Sequence, residues 1–96
     1  MTCGVYAIRC LVDGRTYVGQ SKNVKTRLRN HRRLLETDEH WSYRLQAAWN
    51  IHGPEQFAFF IHEEVAHRKD LDERETWWIT TLRSLEPHMG YNKQVP

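Results

Sequence analysis

Nowhere in these 96 residues does an apolar run approach the roughly 20 needed to span a bilayer, and the N-terminus lacks the charged-then-apolar pattern of a signal peptide. The expectation is therefore a cytoplasmic protein with no membrane partner. Cysteine is nearly absent. Cys3 and Cys10 stand in no CxxC or Cys/His ligand spacing, so they read as small buried thiols in a reducing compartment rather than as a disulfide. His52, His62, His67 and His88 lack an i, i+4 partner or a zincin-type motif, which argues against a multi-histidine metal centre. No internal repeat, low-complexity tract or linker divides the chain, and the expectation is one domain over residues 1–96.

What is present suffices for a small core. Hydrophobic residues make up 40%, with four Trp and four Tyr, and the 27% of charged residues is ordinary for a soluble surface. The net charge of +2 names no partner, but its distribution is uneven. Lys22, Lys25, Arg27, Arg29, Arg32 and Arg33 crowd one segment with no acid among them, whereas acids outnumber bases after residue 60. One end suits a polyanion and the other a cation.

Val5 to Leu11 and Arg15 to Gly19 are rich in β-formers and flank Asp13-Gly14, a short hairpin signal whose type I′ turn needs positive φ at both positions. A two-residue turn sets Cys10 opposite Tyr17. Tyr6, Ile8 and Cys10 then share a face with Tyr17 and Gly19, the two tyrosines standing on the order of 10–13 Å apart along the strand. A longer loop brings them closer or flips one. Ser21 and Asn23 are both suitable caps for a helix over Val24 to Glu36, and Ser42 suits a second helix striped by Leu45, Ala48, Trp49 and His52 and ended by Gly53-Pro54. Phe57 to Val65 reads as a third strand and Arg68 to Leu82 as a third helix with an acidic opening, followed by an irregular tail anchored at Tyr91. The resulting order, β-β-α-α-β-α, predicts an α+β fold with a small three-stranded antiparallel sheet.

Polar residues fall where the core should be. On the first helix Val24, Leu28 and Leu35 define the inward direction; His31 lies among them and Arg27 near their edge, while Lys25, Arg29 and Arg33 project away. On the last helix Glu75 projects into the stripe of Leu71, Trp78, Ile79 and Leu82, and Glu73 points nearly opposite. An unpartnered buried carboxylate costs several kcal/mol, so Glu75 needs a base, a hydrogen-bond network or a metal. One reading is an internal Glu75–Arg27 salt bridge. The other is convergence of Arg27, His31, Glu75, Tyr6 and Tyr17 on a site that grips a phosphate and a cation.

Gly4-Val5-Tyr6 followed by Tyr17-Val18-Gly19, then Arg27, His31, Glu75 and Asn92, resembles the GIY-YIG nuclease family, with Val in place of Ile in both tripeptides. The resemblance runs through Lys22-Asn23, Asn50-Ile51-His52-Gly53, Glu73-Arg74-Glu75 with Trp78, and Gly90-Tyr91-Asn92-Lys93. It is nearest the catalytic domains of phage intron-encoded and free-standing homing endonucleases. It implies hydrolysis of DNA phosphodiesters, by nicking or double-strand cleavage, with one Mg²⁺ or Mn²⁺. Glu75 would then be the sole protein carboxylate on that ion. Arg27 would hold a nonbridging phosphate oxygen, Tyr6 would activate water with His31 as relay, Tyr17 would position water or phosphate, and Asn92 would fix the geometry. His40 lies at a position sometimes counted with that site, in a connector of open geometry. Thr26 stands where relatives often carry Lys.

Two competing functions follow from the same residues. One is a noncatalytic module whose Lys22, Lys25, Arg29, Arg32 and Arg33 track nucleic-acid phosphates; the other makes Tyr6 a covalent nucleophile. No DNA-reading motif accompanies the domain, so target choice belongs to a separate DNA-binding domain in a longer chain or to a loose preference.

Overall fold

A computed structural model describes residues 2–96. The elements run β1 (Gly4–Cys10), β2 (Thr16–Ser21), α1 (Val24–Glu36), α2 (Tyr43–His52), β3 (Phe57–Glu64) and α3 (Leu71–Leu82), the order and α+β class expected from the sequence. The sheet has the order β2-β1-β3 with both pairings antiparallel. A 3-10 turn at Arg68–Asp70 leads into α3, so the α-helix itself begins at Leu71 and not at Arg68.

The central strand β1 is buried on both faces because each carries a different core. Ile8 and Cys10 pack with Leu35 of α1, Leu45 and Trp49 of α2, Phe57 and Tyr91. Val5 packs on the other face with Val18, Val65, and Leu71 and Ile79 of α3. Leu35 and Leu45, both almost wholly buried, each stabilise the fold by roughly 1.5–3 kcal/mol on the scale of apolar transfer.

The hairpin differs from the expected two-residue turn. Tyr17 pairs with Ile8 and Tyr6 with Gly19, two residues closer than the tight turn requires. Residues 11–14 form the loop, closed by Cys10 N donating to Arg15 O at 2.9 Å and Gly14 N to Cys10 O at 2.9 Å. Of the Asp13-Gly14 pair only Gly14 takes positive φ, at 79°. A slip of two residues conserves the face of every side chain, so both tyrosines still point the same way, now about 7 Å apart along the sheet at 3.3 Å per residue.

The tail covers the free edge of β2. Tyr91 N donates to Thr16 O at 3.0 Å and Thr16 N to Met89 O at 3.3 Å, forming a parallel bridge between Thr16 and Gly90. Asn92 then substitutes for a strand with its side chain: its Oδ1 accepts from Val18 N and its Nδ2 donates to Val18 O, both at 2.9 Å. An edge that could template another chain is thereby closed.

Candidate active site

Tyr6 leaves β1 toward α1 and lies across the backbone of Gly19. A Cβ at that glycine would come within 2.4 Å of the Tyr6 ring, so the glycine of the second tripeptide is required for the tyrosine of the first to lie flat there. The glycine of the first tripeptide, Gly4, has a matching cause. A Cβ on it would lie 2.2 Å from Glu63 O, where β3 bulges against β1 between Val5 and Tyr6.

His31, fully buried on α1, sits between the two tyrosine rings at centroid distances of 5.3 and 5.4 Å. Its Nε2 is 2.6 Å from Tyr6 Oη, and its Nδ1 is 2.8 Å from Nε2 of His40. His40 Nδ1 in turn accepts the backbone N–H of Ser42 at 3.0 Å. Burial is the main cause that lowers both rings, to about 3 for His31 and about 4 for His40, so both are neutral near pH 7. A backbone N–H only donates, which sets the direction of the whole chain. His40 carries its proton on Nε2 and donates to His31, and His31 carries its proton on Nε2 and donates to Tyr6 Oη. The phenol hydrogen is left for a partner in the cleft.

The connector between α1 and α2 holds this relay in place. Buried Gln46 accepts from His40 N at 3.1 Å and donates to Leu35 O at 3.0 Å, while Ser42 caps α2 by accepting from Leu45 N. Trp41, half exposed, stacks on the His40 ring at 4.2 Å and carries the Arg27 guanidinium over its own ring at 5.2 Å. Arg27 thus stands at the cleft mouth without an ion-pair partner among the described residues.

Glu75 approaches from α3. Its exposure is 9%, and the expected alternative of a Glu75–Arg27 salt bridge is absent from the ion pairs of the described residues. Desolvation raises its carboxyl to about 7, with Gln20 opposing and Asp72 adding to the rise. Burial, and then the Tyr17 phenol, push Tyr6 well above the usual tyrosine range, and the Arg27 guanidinium pulls the other way. Tyr17 is raised as well, again mainly by burial.

A cavity of about 450 Å³ collects these groups: Tyr6, Tyr17, Gln20, Arg27, Trp41, Glu75 and Asn92 all line it. His31 reaches it only through Tyr6. Asn92 is fully engaged by Val18 and by Ser84 Oγ, which donates to it at 2.8 Å. Lys22, Lys25, Arg29 and Arg33 are exposed and make no ion pair among the described residues. Arg32 is placed differently, stacked over Phe59 at 4.8 Å and paired with Glu36 at 3.6 Å. The resemblance pointed to His40 without a geometry for it, which the contact with His31 now supplies, and sequence reasoning missed Trp41. Its one local signal is position, immediately before the Ser42 helix cap.

The sheet, the cleft and its polar set are those of a small α+β catalytic domain. The family described as the GIY-YIG catalytic domain matches residues 2–92, and the chain belongs to that family. It is 39% identical over 93 residues to intron-associated endonuclease 1 of Enterobacteria phage T4, covering 96% of this chain and 37% of that relative. The chain therefore spans little more than a third of that protein. Among solved structures, it superimposes on the catalytic domain of intron endonuclease I-TevI, E75A mutant, with a TM-score of 0.88 and 35% identity, covering 100% of this chain and 97% of the other. A second structure, of the catalytic domain of homing endonuclease I-TevI, gives 0.86 and 33%, covering 96% and 98%.

Proposed function

We propose that this chain is the catalytic part of a homing-endonuclease-like enzyme that hydrolyses DNA phosphodiester bonds with one divalent cation, Mg²⁺ or Mn²⁺, held by Glu75. The observation that carries the reading is Glu75 itself, a carboxylate buried beside a cleft with no ion-pair partner among the described residues. Such a group fits a hard cation that keeps several waters and needs few protein ligands. When bound, that ion supplies Lewis-acid stabilisation of the leaving oxygen.

The chain's own residues supply the rest. Arg27, held by Trp41 at the cleft mouth, offers its planar fork to a nonbridging phosphate oxygen and offsets charge that builds in the transition state. Burial keeps the Tyr6 phenol protonated in the free cleft, so it first releases its hydrogen to solvent, a loss that the Arg27 guanidinium and the His31 N–H favour, and the phenolate then takes a proton from the attacking water. The water oxygen bonds to phosphorus, the bond from phosphorus to the departing sugar oxygen breaks, and that oxygen takes up a proton from solvent. Tyr17 orients the water or phosphate. Asn92 holds β2, and with it Tyr17, in register. Lys22, Lys25, Arg29 and Arg33 form a phosphate-tracking face on α1. A separate DNA-binding domain in a longer chain would select the target, a reading supported by the 37% of the phage relative that this chain spans.

Supercoiled plasmid with Mg²⁺ or Mn²⁺ tests the proposal: relaxed product means nicking, linear product means double-strand cleavage, and EDTA should abolish both. Plasmid left equally untouched by wild type and Glu75→Ala over a broad metal and DNA panel would sink it in favour of a noncatalytic binding module. Protein trapped on DNA after denaturation would instead make Tyr6 a covalent nucleophile.

A further inference from the structure

Beyond the nuclease cleft, the end of β1, the β1–β2 loop and the end of α2 bring together three residues that the sequence keeps apart. One ligand atom each from Cys10, Asp13 and His52 lies within 4.8 Å of the others, and His52 Nε2 is 4.0 Å from Asp13 Oδ2. Tyr91 adds a fourth donor atom, its phenol oxygen. Its phenol is buried among these groups with no hydrogen-bond partner, an arrangement that costs free energy unless something supplies one. Burial, and after it the Asp13 carboxylate and the Cys10 thiol, hold that phenol above the usual tyrosine range. Asp13, His52 and Tyr91 also line a cavity of about 230 Å³ through which an ion can enter.

We propose that Cys10, Asp13 and His52 bind a single Zn²⁺, with the Tyr91 oxygen or a water as fourth donor, at a site separate from the nuclease cation. Thiolate, imidazole and carboxylate form a donor set for zinc and a poor one for Mg²⁺, which takes oxygen ligands. Tetrahedral zinc with bonds of roughly 2.0–2.3 Å sets its donors about 3.3–3.8 Å apart, so each donor here has to move by less than about an ångström. Two arginines stand beside the site: Arg15 Nε is 3.9 Å from Asp13 Oδ2 on a side chain exposed enough to swing away, and Arg44, which lines the same cavity, is tied to Asn92 O at 3.1 Å. Occupancy would clamp four segments together, including the tail whose next residue, Asn92, pins β2 beside the nuclease cleft.

The test is titration of the metal-stripped full chain with Zn²⁺ and Co²⁺ in excess Mg²⁺. Wild type should bind one Zn²⁺, gain thermal stability, and with Co²⁺ show a thiolate-to-metal charge-transfer band. Cys10→Ser and His52→Gln should each lose that band and weaken Zn²⁺ binding at least about 100-fold, the upper end of what losing an outer hydrogen-bond partner of a metal ligand costs. Cys3→Ser and Glu75→Gln should retain both. His52 is partly exposed, so its variant should fold even if Cys10→Ser does not. No thiolate band in wild type, or Zn²⁺ binding unchanged in a folded His52→Gln, overturns the proposal.

Discussion

Glu63 on β3 accepts from Arg74 Nε at 2.9 and 3.1 Å and from Trp78 Nε1 at 2.9 Å, whereas Glu75, next to Arg74 on the same helix, has no ion-pair partner among the described residues. The electrostatic consequences are opposite. Trp78 and then Arg74 hold the Glu63 carboxyl below the usual range, while desolvation lifts Glu75 to about 7. One carboxylate is satisfied inside the protein and ties β3 to α3. The other is left to be satisfied from the cleft. Glu63 is also the more exposed of the two, so the difference teaches that burial together with the lack of a cation marks a functional acid.

The largest expected effect breaks that asymmetry directly. Glu75→Ala should lower plasmid cleavage by more than about 10³-fold, at the top of the range for losing a charge-stabilising group, with DNA affinity little changed in a gel-shift assay. Glu63→Ala should leave the specific activity near wild type and cost about 1–3 kcal/mol in urea unfolding. Next comes Arg27. Replacing it with Lys keeps the charge but loses the fork and the stacking on Trp41, and single-turnover cleavage should fall about 10²-fold. Arg74→Lys should spare it.

His40→Gln removes the donor that orients His31, and an effect of roughly 10-fold on the cleavage rate is expected, at the low end for a group that acts through another. A shifted pH–rate profile separates this from simple destabilisation. The same pair dictates a pH dependence of stability. Both rings are held far below the ordinary histidine value of 6.5, so the unfolded chain binds protons that the native state refuses. Stability should fall as the pH drops from about 6.5 toward about 4, and less steeply in His40→Gln. Glu75 acts in the opposite sense. Its native carboxyl, raised to about 7 from 4.5, favours folding at low pH and loses that contribution as the pH rises through about 7. The metal-free wild type should show this loss relative to Glu75→Gln, and saturating Mg²⁺ should reverse it. The smallest effect is expected on the basic face of α1. Arg29→Ala with Arg33→Ala should weaken DNA binding a few-fold and reduce the salt slope by about two, one for each phosphate contact.

Much of the frame was legible in the chain itself. Helical periodicity and β-former runs placed all six main elements, and the inward phases of His31 and Glu75 followed from about 100° per residue. Alternation in the strands put Tyr6 and Tyr17 on one face, and the slip of two residues left that parity intact. These are local properties, decided by residues within a turn or two of one another.

The partners of those residues were a tertiary matter. Loop geometry and the neighbouring strand chose the register that brings the tyrosines around His31, and a short connector delivered His40 to it from nine positions away. Asn92 reaches Val18 across 74 positions, and Cys10 meets His52 only once α2 has packed against the sheet. No spacing rule contains such pairs, because the energy that selects them comes from cores built by the whole chain. The sequence by itself determined that one carboxylate of the last helix faces inward. Only the assembled fold decided that no cation among the described residues meets it there, and a buried charge without an internal partner must find one in what the protein binds.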